Sequence, residues 1–180
     1  MKLFVWLWNP WDKYALTRHN AWVIALEQLC AAEWCTNFLY QNKFFSETAT
    51  WLIGKRQIIA ALPQTYMNKS WQSVSALVQY YWMDTNDILV LQDDIDLPFW
   101  KMKLKYGGSH WGHNGIRDIV SKLWTEKFWR LKIGVWRPTH PEQDVVSYVL
   151  EKFSSSEQKR FRDHEPAIRE KIWAYLKNTG

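Results

Sequence analysis

Apolar positions along this chain switch between a strand period of two and a helix period near 3.6. Residues 2–8 (KLFVWLW) form a short continuous apolar run, which predicts a strand. Residues 20–34 carry Val23, Ile24, Leu26 and Leu29 at helical spacing, with a polar Glu27-Gln28 step. The stretch 36–54 is mixed and predicts short strands, and 57–62 is a brief apolar run that Pro63 ends. Val74, Leu77, Val78 and Tyr81 share one face of a helix over 70–81. Residues 87–92 (DILVLQ) read as a strand buried on both faces of a sheet. In KMKLK (101–105) the alternation puts three lysines on one face. A helix over 113–123 and a strand over 128–135 follow. Thr139 with Glu142, enclosing Pro141, and Ser154 with Glu157 have capping-box spacing; the second would open a long amphipathic C-terminal helix.

Strands alternating with helices predict an α/β fold with a twisted mixed sheet between helices, and a hairpin-like stretch around 88–105. Neither linker nor repeat nor low-complexity tract divides the 180 residues, so 1–180 is expected to be a single domain. Apolar runs stay short of the roughly 18 residues a membrane helix needs. The N-terminal run has no small-residue cleavage site and reads as a first buried strand rather than a signal peptide. Cys30 and Cys35 have no histidine near them and are expected to be two reduced thiols rather than a metal pair or disulfide. A cytoplasmic protein is the expectation.

Charge refines this picture because it is uneven. Residues 101–137 hold nine Lys/Arg against Asp118 and Glu126, a local charge of +7 in a chain of net +5. Such a footprint suits a polyanion, although a solvated positive face would look the same.

Four polar constellations fall at the predicted ends of elements, where open α/β sheets bind ligands. They are Asn9, Tyr14, Arg18, His19 and Asn20; Gln64 to Asn68 (QTYMN); Asp93 to Asp96 (DDID); and Gly107 to Gly115 (GGSHWGHNG). Each has a plainer reading. His19 could cap a helix, Asn68 and Asn114 sit where helices begin, DDID could be a solvated loop, and the glycine loop fits no nucleotide fingerprint. Asp93, Asp94 and Asp96 could also suggest a divalent-metal phosphodiesterase, but strand alternation would point Asp93 away from the other two. His110 and His113 span a glycine-rich loop without the helical context of a zinc motif.

In order, the blocks NP-x4-Tyr-x3-Arg-His-Asn, PxTYMN-x-Ser, DDIDLP, KxKxGGSxxGHNG and FWRLKIG resemble the bacterial-type peptidyl-tRNA hydrolase family over nearly the whole chain. The resemblance implies hydrolysis of the ester joining a peptide to tRNA, by a cytosolic monomer needing no metal, cofactor or obligate protein partner, with peptidyl-tRNA as its partner. It makes His19 the general base and Asp93 the carboxylate that holds its imidazole. Asn9 would distinguish N-acylated from free aminoacyl substrate. Tyr14, Tyr66, Met67, Asn68, His113 and Asn114 would contact the substrate, and Lys103, Lys105, Arg130 and Lys132 its phosphates. A non-catalytic RNA-binding relative of the same fold, of the plant organelle splicing-factor type, is the alternative; the intact His19 and Asp93 argue against it.

The resemblance also exposes an oddity. The chain has 14 tryptophans and only 7 glycines. Trp6, Trp8, Trp11, Trp22, Trp71, Trp100, Trp111, Trp124 and Trp136, and with them Trp34, Trp51 and Trp82, stand where the family pattern has small residues, mostly glycine. Glycine serves such places by tolerating φ > 0 or close backbone approach. Overpacking costs about 1–3 kcal/mol per site, so the expectation is of a glycine-bearing parent with substitutions that strain the fold. Only Trp129 and Trp173 look at home.

Overall fold

The first strand, β1 (Lys2–Trp6), is buried at every position and lies at the centre of a seven-stranded sheet. In the computed structural model, residues 1–31, 37–138, 140, 142–163 and 165–179 are described. After β1 come α1 (Ala21–Ala31), β2 (Leu39–Gln41), β3 (Ser46–Ile53), β4 (Arg56–Pro63), α2 (Trp71–Tyr81), β5 (Ile88–Asp94), β6 (Met102–Tyr106), α3 (Asn114–Leu123) and β7 (Trp129–Gly134). Three further helices, α4 (Val145–Val149), α5 (Ser155–Arg162) and α6 (Glu165–Asn178), complete the chain. Cys35, Trp34 and the Cys30 side chain lie outside the described residues, and with them the expected thiols.

The sheet order is β2-β3-β4-β1-β5-β7-β6. β1 runs parallel to β4 and β5, and β5 parallel to β7, while β2, β3 and β6 join antiparallel. The sheet is therefore mixed, as expected. The hairpin expected around 88–105 is not formed: β7 lies between β5 and β6. The burial patterns explain why. β5 is buried from Ile88 to Asp93 and suits two covered neighbours, whereas β6 is half-exposed and lysine-bearing, which suits a sheet edge.

Period-two alternation divides the core into two layers. Phe4, Trp6, Leu89, Leu91, Leu131 and Ile133 face α1 and α6 through Trp22, Ala25, Ile168, Ile172 and Tyr175. Leu3, Val5, Ile88 and Val90 face α2 and α3 through Val74, Leu77, Ile116 and Ile119. No helix among the described residues is long and apolar enough to cross a membrane.

Helix ends follow their local chemistry. The Ser154 capping box forms in both directions: Ser154 N–H donates to Glu157 Oε2 (2.7 Å) and Glu157 N–H to Ser154 Oγ (3.3 Å). It opens α5, and a turn at Asp163 then divides the single helix expected here into α5 and α6, with Pro166 in the first turn of α6. Thr139 and Pro141 of the other box lie outside the described residues; α4 is capped by Asp144, whose Oδ2 accepts from Ser147 N–H at 2.9 Å.

The tryptophans fall into two groups. Trp82, Trp100, Trp111, Trp124 and Trp136 take φ of 52°, 72°, 48°, 54° and 64°. That is the left-handed region glycine enters freely, and all five belong to the glycine-like set. Trp82 and Trp124 end α2 and α3, where glycine is the usual terminator. The other described tryptophans have ordinary backbone. Trp6, Trp22 and Trp51 are built into the core. Trp22 Nε1 donates to Gln92 O (2.6 Å) and Trp8 Nε1 to Pro63 O (2.8 Å), whereas the indole N–H groups of Trp6 and Trp51 find no acceptor among the described residues.

Candidate functional site

Parallel strands end on the same side of a sheet, and here β1, β4 and β5 deliver their following loops to one place. β1 leads to Asn9 and then to a short 3-10 turn, Arg18–Asn20; β4 leads to Tyr66 and the turn Met67–Lys69; β5 ends in Asp93 and Asp94. The loop before α3 arrives from the β6–β7 side. Together they enclose a cavity of about 360 Å³. Asn9, Tyr14, His19, Tyr66, Met67, Asn68, Asp93, His113 and Asn114 all line it, so every residue expected to act in catalysis or substrate binding is gathered there.

Asp93 is the hub. His19 Nδ1 lies 2.8 Å and His113 Nε2 3.0 Å from the same oxygen, Asp93 Oδ1. Burial pushes the Asp93 carboxyl up, but the two imidazoles and their hydrogen bonds together outweigh it and hold it below the usual carboxylate range. An ionised carboxylate only accepts, so both facing ring nitrogens carry hydrogen. His113 Nδ1 accepts in turn from Ile116 N–H at 3.4 Å, capping α3. One nitrogen of His113 thus donates and the other accepts, as a neutral ring requires. Burial also pushes its pKa down from 6.5, against the pull of Asp93. For His19 the commitment of Nδ1–H to Asp93 leaves Nε2 as the basic nitrogen.

The asparagines are oriented by similar reasoning. Asn20 bonds both backbone groups of Asn9: Asn9 N–H donates to Asn20 Oδ1 (2.8 Å) and Asn20 Nδ2 donates to Asn9 O (3.0 Å). Asn9 Oδ1 accepts from Met67 N–H at 3.3 Å, and Asn114 Oδ1 from Arg117 Nη2 at 2.8 Å. With those oxygens engaged, both side chains can offer a ligand N–H donation. The first turn of α3 comes close because residue 115 is glycine: a Cβ there would lie 2.8 Å from Met67 Sδ and 3.0 Å from Leu7 Cδ1.

Arg18 supports the site from behind. Its guanidinium pairs with Glu151 (3.4 Å) and Glu157 (3.3 Å) and lies 4.4 Å from the Tyr148 ring centre, tying the His19 turn to the chain around α4 and α5. At the cavity rim Trp11 stacks on Tyr66 with ring centres 4.2 Å apart and meets Tyr14 edge-on. Val145, Val146, Val149 and Leu150 supply an apolar wall.

The four cations expected to meet phosphates form two cross-strand pairs, Lys103 opposite Lys132 and Lys105 opposite Arg130. They share a face, but their surroundings differ. Lys103 is exposed and Lys105 half-buried. Lys132 is buried and donates to Asp94 Oδ2 at 2.6 Å. Arg130 is buried and donates to the carbonyls of Gly108 and Ser109.

The acidic stretch does not converge on a metal. Asp93 faces the histidines, Asp94 faces Lys132, and Asp96 is paired with Arg137. By distance alone His19, Asp93 and His113 could hold a cation, since their ligand atoms lie within 4.8 Å of one another. The donor set fits poorly: Nδ1 of His113 already accepts from a backbone N–H, and metallating Nε2 would demand an imidazolate.

Sequence reasoning named His113 and Asn20 without their partners, and it missed Asp118. His113, expected to touch substrate, lines the cavity, and its ring also bonds Asp93 and caps α3. Asn20 braces Asn9, and Asp118 Oδ2 accepts from Trp71 N–H at 2.9 Å, joining α3 to the start of α2. The Arg18-His19-Asn20 triplet was visible as a polar cluster; the long-range partners carried no local signal.

Comparison with known proteins gives a consistent picture. The family described as peptidyl-tRNA hydrolase matches residues 3–179. The peptidyl-tRNA hydrolase of Dichelobacter nodosus is 39% identical over 163 residues, covering 91% of this chain and 85% of its own length. That of Haemophilus influenzae is 42% identical over 159 residues, covering 88% and 81% respectively. The crystal structure of peptidyl-tRNA hydrolase from Acinetobacter baumannii is similar with a TM-score of 0.81 at 32% identity, covering 99% of this chain and 94% of that one.

Proposed function

Because the chain belongs to the peptidyl-tRNA hydrolase family, we propose that the cavity hydrolyses the ester of peptidyl-tRNA with His19 as general base and Asp93 as its partner. The observation that carries this reading is the commitment of His19 Nδ1–H to a buried, ionised Asp93, which leaves Nε2 basic at the wall of the cavity. Water bound there gives its proton to Nε2 as its oxygen attacks the ester carbonyl. The imidazolium that forms lies beside the Asp93 carboxylate, which favours it electrostatically. The amide groups of Asn9, Asn68 and Asn114 are suited to donate to the developing oxyanion; one well-placed donor contributes roughly 3–4 kcal/mol. The tetrahedral intermediate then collapses, the bond to the ribose 3′-oxygen breaks, and that oxygen recovers the proton from His19. The peptide leaves as a carboxylic acid and the tRNA with a free hydroxyl.

Tyr14, Tyr66 and Met67 would contact the substrate from the rim and floor. Lys103 and Lys105, at the edge of the sheet, are placed to meet phosphates without reading sequence, and Lys132 could join them by exchanging Asp94 for a phosphate oxygen. The protein would act as a cytoplasmic monomer on tRNA alone. A pure RNA binder has no use for a base whose tautomer is set by a buried carboxylate, so the non-catalytic alternative is not favoured.

The test is release of acyl-amino acid from N-acetyl-aminoacyl-tRNA by the parent and by His19→Ala. Turnover lost in the variant with tRNA binding retained is expected; turnover near the parental level in His19→Ala would overturn the assignment.

A further inference from the structure

Arg130 is 1% exposed and stands opposite Lys105 in the β6–β7 pair. Its Nη1 donates to Ser109 O at 2.9 Å and its Nη2 to Gly108 O. The guanidinium centre lies 4.8 Å from the Phe128 ring centre, and Gly107 N–H donates to Phe128 O at 2.9 Å. Three successive loop residues, 107 to 109, are thereby held to the start of β7. Four residues beyond Ser109 the same loop delivers His113 to Asp93.

A phosphate contact needs a guanidinium it can reach. Arg130 is closed off, with both terminal nitrogens already donating to backbone carbonyls, while exposed Lys103 on the same face is accessible. The planar fork of arginine matches two adjacent carbonyls in a way a lysine ammonium cannot. We propose that Arg130 is a positioning residue: it fixes the 107–112 loop, and so the His113 ring that orients Asp93, rather than binding tRNA phosphate. This role has meaning only where His19 and Asp93 are the catalytic pair.

Arg130→Lys and Arg130→Met can be assayed on N-acetyl-aminoacyl-tRNA over a range of salt, with Lys103→Ala and His19→Ala alongside. A misplacement near 1 Å costs on the order of 10²-fold in turnover, so kcat is expected to fall by about that factor in Arg130→Lys. The slope of log KM against log salt should stay parental, whereas Lys103→Ala should lower it by about 1. The hydrogen-bonded imidazole N–H resonances of His19 and His113 should broaden or move in Arg130→Lys while the remaining amide spectrum keeps its dispersion, which a general loss of folding would not produce. Arg130→Lys keeps the charge and carries the test if Arg130→Met fails to fold. Parental kcat in Arg130→Lys, or a lowered salt slope in a folded Arg130→Met, would overturn the proposal. Parental turnover in His19→Ala would instead overturn the catalytic reading beneath it.

Discussion

Replacing Trp82 and Trp124 with glycine should stabilise the protein. Both residues hold left-handed backbone at a helix end, with φ of 52° and 54°. Both indoles are almost wholly solvated, at 94% and 91% exposure, so their removal forfeits almost no burial. A non-glycine residue in this region costs roughly 1–2 kcal/mol. Glycine gives back roughly 0.4–1 kcal/mol through the extra freedom of the unfolded chain. The net gain is about 0.5–1 kcal/mol per site, or about 1–2 kcal/mol for the double variant. For a chain of this size that raises Tm by about 2–8 °C in a thermal melt followed by circular dichroism. The bonds that end α2 go from the N–H groups of residues 82 and 83 to Val78 O and survive the change. Trp82→Ala is the control: it removes the indole but keeps the strained backbone, and should gain nothing. Trp6→Gly should move the other way by about 3 kcal/mol or more, because it empties a fully buried core position. Equal Tm changes in Trp82→Gly and Trp82→Ala, or a lower Tm in the glycine variant, would refute the backbone argument.

Other expectations concern the hub and a cap. Asp93→Asn can still present one oxygen to the two imidazole N–H groups, which both meet Oδ1, but it loses the negative charge that favours the His19 imidazolium; it should lower kcat on the order of 10⁴-fold with KM little changed, and a loss under about tenfold in steady-state assays would contradict the reasoning. Folded His113 binds its proton less readily than the unfolded chain, so the unfolded state takes up the proton first as pH falls below 6.5, and stability declines from there toward the folded pKa. Melts at about pH 7.5 and about pH 5.5 should therefore show a larger drop in the parent than in His113→Gln, and equal drops would contradict it. Ser154→Ala removes the oxygen that accepts Glu157 N–H at 3.3 Å and should cost about 1 kcal/mol, read as a Tm lower by about 2–4 °C.

The legibility of this chain varied with the range of the interaction. DILVLQ announced a strand buried on both faces because a continuous apolar run needs cover on both, and β5 has it. The partner of that strand was not legible: the short connection from Asp94 to Met102 looks like a hairpin, while β7, whose pairing excludes it, lies 35 residues further on. The Ser154–Glu157 cap was readable because both halves lie within one turn. Arg18 was visible beside His19, but its partners, Glu151 and Glu157, lie more than 130 residues away. KMKLK at 101–105 put its lysines on one face, since strand alternation is local. It could not reveal that Arg130, opposite Lys105 on that face, is closed off, because that depends on where the 107–112 loop folds. The glycine-like set was named by resemblance, and the five members with φ > 0 are those in which the backbone itself carries the mark of glycine.

The position of β7 sets an order of events for a chain emerging from its N-terminus. β1, β4 and β5 can pair with one another once residue 94 is available, but β6 finds its place only beside β7. Until residues 129–134 arrive, one side of β5 is an open edge with unpaired backbone groups. The pairing that closes this edge sets Asp93 opposite Ile133 and Asp94 opposite Gly134, and draws in the loop that carries His113. Sealing the sheet and completing the Asp93 hub therefore rest on the same pairing. A half-made chain holds His19 and Asp93 without the third member that steadies them, so turnover is expected to report on completed folding rather than on synthesis of His19 and Asp93.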